Sequence, residues 1–133
     1  MLFMFIVRSK GSFGPPPKAF TDALEKAAGE AKQSGELIAS GGLAVPSTAS
    51  SVKLSNGKIA VVDGPYAEAK ELVGGFAVFQ LKSKEEAIEQ VKRFMELHKT
   101  HWPGWEGETE IRPILGPEDF AADQSGARSA AHR

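Results

Sequence analysis

The chain has 133 residues, with 16 Lys and Arg against 17 Asp and Glu, a formal net charge of -1 and no cysteine. That length suits one compact domain with its own core. The near-neutral balance argues against a basic surface for phosphate backbones, and the lack of Cys removes disulfides, thiolate nucleophiles and thiolate metal sites. No nucleic-acid partner is expected, and any metal would need His and carboxylates.

The apolar run Met1 to Val7 is short and follows no basic segment of the kind a signal peptide carries, so it reads as a buried strand. No apolar run approaches the ~20 residues of a membrane span, and a cytoplasmic protein is expected. After a loop to Gly14, Pro17 suits a helical first turn. Phe20, Ala23, Leu24, Ala27 and Ala31 then recur at helical spacing as far as Ser34, with Gly35 placed for a left-handed cap. Glu36 to Val45 reads as a strand bent at Gly41-Gly42. In Ser51 to Asp63, Val52 and Leu54 precede Asn56-Gly57, and Ile59, Val61 and Val62 follow, which predicts a hairpin with a type I′ turn.

A polar connection from Gly64 to Val73 leads to a strand, Gly74 to Leu81, that is apolar on both faces and therefore central. Ser83 and Glu86 form a capping box for a second helix, whose stripe of Ala87, Ile88, Val91, Phe94 and Met95 extends to about His98. A Trp-, Pro- and Gly-rich turn follows, then a strand from Glu108 to Leu115 that Pro113 assigns to a sheet edge. Residues 121–133, without aromatics, read as a disordered tail after a single 1–120 domain.

This order fits an α+β, ferredoxin-like split βαβ fold, with both helices on one face of a mostly antiparallel sheet. The other face then lacks a cover, and a second copy packed sheet to sheet supplies one, so a homodimer is expected.

Asp63-Gly64-Pro65-Tyr66-Ala67-Glu68-Ala69-Lys70-Glu71, followed by Gly74-Gly75-Phe76, resembles the signature of the YCII-related (DGPF) family, with Tyr66 in place of Phe and Ala69 in place of Thr. The stretch from Met95 to Phe120, including His101-Trp102-Pro103-Gly104-Trp105, is similar to a longer subgroup of that family. The resemblance implies a dimeric α+β barrel. It implies less about activity: most members have none assigned, and one branch includes a dehydrochlorinase acting on a halogenated hydroxyquinol. A His on the first helix and a nearby Asp have been proposed as a catalytic pair in short members. Here that helix reads Lys18-Ala19-Phe20 and no His precedes His98, so the pair does not carry over.

Asp63, at the end of an apolar strand, could act as a general acid or base, or bond the amides of its turn. Tyr66, Glu68 and Lys70 could bind a ligand from a lid; equally, Tyr66 could plug the core while Glu68 and Lys70 are solvated. His98 and His101 could serve acid–base chemistry, or bind a metal together with Asp63 or Glu106, or simply favour the helix C-terminus by charge. Trp102 and Trp105 could line a pocket for a planar molecule, anchor a partner subunit, or lie buried under their loop.

Asp63, His98 and His101 are therefore the candidate catalytic residues, and Tyr66, Glu68, Lys70, Trp102 and Trp105 the candidate ligand-binding ones. No metal or other cofactor is assigned, because no nucleotide loop or strong metal motif is present. The leading expectation is a homodimer that binds a small, aromatic or otherwise planar metabolite in a barrel cavity, with acid–base lyase or isomerase chemistry if it is an enzyme. The alternative is a non-catalytic sensor or protein-interaction module.

Overall fold

A computed structural model describes residues 1–11, 13–63, 72–117 and 119. The segment holding Tyr66, Glu68 and Lys70, and the expected tail at 121–133, lie outside the described residues. The elements run β1 (Leu2–Ser9), α1 (Lys18–Gln33), β2 (Leu37–Gly42), a short 3-10 turn (Pro46–Thr48), β3 (Ser50–Ser55), β4 (Lys58–Asp63), β5 (Leu72–Gln80), α2 (Lys84–His101) and β6 (Gly107–Pro113).

The main sheet has the order β2-β5-β1-β6, and every neighbouring pair in it is antiparallel. Each helix joins two strands that are not neighbours, leaving a third strand to enter between them. This is the ferredoxin-like, split βαβ arrangement of an α+β protein. β5 is an interior strand, as its two apolar faces require, and β6, which ends in the donor-less Pro113, lies at an edge. A register shift between Leu37 and Ala39 bends β2. That strand ends at Gly42, short of the Val45 expected from its sequence.

Alternation along β1 and β5 sorts the sheet into two faces. Phe3 pairs with Phe79 and Phe5 with Ala77, all on the helix side, and Phe5 stacks on Phe79 with ring centroids 4.9 Å apart. These residues join Ala31 of α1 with Ala87 and Val91 of α2 in one core. Phe3 is wholly buried, so its loss to Ala would cost about 3–5 kcal/mol. The opposite face carries Leu2, Met4 and Ile6 of β1 with Phe76 and Val78 of β5, and neither helix packs on it. Arg8 on this side donates to Glu110 at 2.6 Å, and Arg112 also bonds Glu110.

The helix ends refine the sequence reading. Pro17 is the N-cap of α1 rather than a residue of its first turn, and its carbonyl accepts from the Phe20 and Thr21 amides. Ala28, not Ala27, is half-buried on α1, and Gly35 takes the expected positive φ of 84°. At α2, Ser83 Oγ accepts from the Glu86 amide, but Glu86 reaches back to the Lys82 amide at 2.8 Å, one residue before the partner a capping box uses. α2 runs on to His101.

β3 and β4 form a separate two-stranded sheet. Asn56 and Gly57 have φ of 53° and 75°, as the hairpin turn demands.

Candidate functional site

The site is built where α2 ends. His98 lies one turn beyond Phe94, on the stripe that already buries Ala87 and Val91, so the side chain is carried inward. The Trp102 amide donates to the His98 carbonyl at 2.8 Å, and the Trp105 amide donates to the Trp102 carbonyl at 3.1 Å. The Lys10 amide then donates to the Glu106 carbonyl at 3.0 Å, tying the loop to the end of β1. From the β6 side, Thr109 Oγ1 donates to the Met95 sulfur at 3.4 Å. These bonds fold the loop back over the last turn of α2.

The result is an imidazole set among aromatic rings. The His98 centroid stands 4.0 Å from Trp105, 4.4 Å from Phe20 of α1, 4.6 Å from Phe94 and 6.2 Å from Trp102, whose plane is within 9° of parallel. His98 is only 5% exposed, and it is the one buried polar side chain among the described residues. Its Nδ1 lies 3.1 Å from the Phe94 carbonyl. A carbonyl only accepts, so Nδ1 must carry the proton in this contact. In the neutral ring Nε2 therefore keeps its lone pair, and it has no hydrogen-bond partner among the described residues. Burial holds the His98 pKa below the usual imidazole value, opposed by the Phe94 carbonyl, which favours the protonated ring.

His98, Trp102 and Trp105 line an open-sided pocket of about 380 Å³ together with Lys10, Lys99 and Glu106. The structure thus brings together three of the candidate residues. His101, the last residue of α2, is half-buried and is not among the lining residues. Asp63 is elsewhere: it ends β4, is exposed, and accepts a 2.8 Å hydrogen bond from Ser50 Oγ across the hairpin. Among the described residues, no group of three His, Asp or Glu side chains is placed to hold a metal ion.

Sequence reasoning missed Lys10, Lys99, Phe20 and Phe94. Phe94 had a local signal, since it precedes His98 by one helical turn on the same stripe. Lys10 and Phe20 reach the site only through tertiary packing.

The family model of the YCII-related domain matches residues 1–101, from β1 to the end of α2. The chain belongs to the YCII-related family. The matched part of this YCII-related chain includes His98, while Trp102, Trp105 and β6 lie past it. A search of curated proteins returned no match. None of the helices among the described residues is long and apolar enough to cross a membrane.

Proposed function

We propose that this YCII-related protein is a cytoplasmic homodimer that binds a small organic molecule in the pocket formed by His98, Trp102 and Trp105. The observation that carries this reading is that a buried imidazole, His98, lines an open pocket with its Nδ1 held by a backbone carbonyl and its Nε2 without a hydrogen-bond partner among the described residues. A buried acceptor left unsatisfied is costly, and a ligand hydroxyl or N–H aimed at Nε2 relieves that cost. A neutral imidazole can also take a proton from such a group, so acid–base lyase or isomerase chemistry is the reaction class this site suits. The homodimer reading rests on the apolar sheet face of Leu2, Met4, Ile6, Phe76 and Val78, which neither helix covers.

Thermal denaturation at fixed protein concentration, against a panel of small aromatic and organic acids, tests the pocket. A ligand at about 100 times its Kd adds roughly 2.7 kcal/mol and raises the midpoint by several degrees. The expected result is a rise that is lost in His98→Phe, which keeps a ring but removes Nε2, and retained in Asp63→Asn. A rise lost in Asp63→Asn and kept in His98→Phe would move the site to the hairpin.

A further inference from the structure

The charges around the pocket narrow its ligand. Resting on the binding reading above, we infer that the pocket selects a small, planar monoanion that also carries a hydrogen-bond donor, a hydroxyaryl carboxylate being the simplest such molecule.

The walls set the shape. The centroids of Trp102 and Trp105 are 6.3 Å apart with planes 40° from parallel, so they do not form a slot open to a third ring between their faces. A flat ring can instead stack on one indole and meet the other edge-to-face, both arrangements that aromatic pairs favour. The space of about 380 Å³ lies near the lower end of ligand pockets, which run from about 300 to 1,000 Å³. One ring fits that scale better than a nucleotide does.

The polar groups set the chemistry. Lys10, just past β1, and Lys99, on α2, are among the lining residues, and neither has an ion-pair partner among the described residues. Glu106 is the one carboxylate among the lining residues, leaving two ammonium groups against it. That excess of one positive charge favours a ligand with one negative charge. His98 adds an acceptor at Nε2 but no donor, because its N–H already faces the Phe94 carbonyl. The ligand must therefore present an O–H or N–H to His98 and an anionic group to the lysines. A carboxylate can accept from both ammonium groups at once through its two oxygens.

The chain has only two tryptophans, and both are in this wall, so their indole N–H signals in a ¹H–¹⁵N spectrum report on the pocket alone. The probes are 4-hydroxybenzoate, benzoate, 4-hydroxybenzamide and tyramine, which share one ring and vary the charge and the donor. The expected result is that 4-hydroxybenzoate binds about tenfold more tightly than each of the other three. In Lys10→Met/Lys99→Met, its advantage over 4-hydroxybenzamide should vanish, the carboxylate losing about tenfold more affinity than the amide. If the amide or tyramine binds the parent protein as tightly as 4-hydroxybenzoate, the inferred ligand class is wrong although the pocket stands. If none of the four moves either indole signal, the binding reading falls with it.

Discussion

Trp105 lies directly against Gly107: a Cβ on the glycine would stand 2.6 Å from the indole and closer still to the Arg8 carbonyl. The missing side chain is what lets the loop cross the end of β1 and lay Trp105 against His98. Gly107→Ala should therefore cost about 1–3 kcal/mol by overpacking and push the indole off its seat. Urea denaturation measures the first effect, and the Trp105 indole N–H shift reports the second.

Burial of His98 has a consequence for pH. Its native pKa lies below that of the unfolded chain, which is about 6.5. Between the two values the unfolded state binds the extra proton, so stability should be full above the unfolded value and decline as pH falls toward the native one. The charged residues that line the pocket with His98 are Lys10, Lys99 and Glu106, and α1 sets the Phe20 ring against the imidazole. Midpoints of thermal denaturation between pH 7.5 and 5.5 should fall less steeply in His98→Phe than in the parent.

Glu110 acts in a lower window. Its hydrogen bonds from Arg112 and from Arg8 hold its carboxyl below the usual carboxylate range. The stability this contributes is present above the unfolded carboxyl value and is lost as pH falls through the native one. In Glu110→Gln, the acid limb of the stability profile below about pH 4.5 should be shallower.

The sheet face opposite the helices bears on the proposed homodimer. Met4 and Val78 face each other across β1 and β5, on the side opposite the helices. Met4→Arg places a charge at the centre of the proposed sheet-to-sheet contact, where a buried charge without a partner is strongly unfavourable. Sedimentation velocity should show a dimer for the parent chain and a monomer of unchanged helical circular dichroism for Met4→Arg. A parent chain that sediments as a monomer would remove the homodimer from the account.

Much of the fold was legible because it is written in local patterns. The apolar run of β5, the helical stripe of α2, Asn56-Gly57 and Pro113 each act within a few residues, and each led to the element observed. Fine positions were less legible, as with Pro17 and Glu86, where the backbone chose a neighbouring amide or register. The site was only half legible. His98, Trp102 and Trp105 lie close in sequence and are held by short-range bonds, whereas Lys10, just past β1, and Phe20 of α1 arrive through tertiary packing. Asp63 attracted notice through its motif, yet its described hydroxyl partner is Ser50, across the hairpin.

His98 is a neutral imidazole with its proton on Nδ1 and, among the described residues, an acceptor without a partner at Nε2. Imidazole ¹⁵N chemical shifts of His98, followed from pH 8 to 5, test it most directly. The expected result is a protonated Nδ1 and an unprotonated Nε2 at neutral pH, persisting below the usual histidine range, with the Nε2 signal moving when 4-hydroxybenzoate is added. A ring protonated at both nitrogens at pH 7, or one carrying its single proton on Nε2, would contradict it.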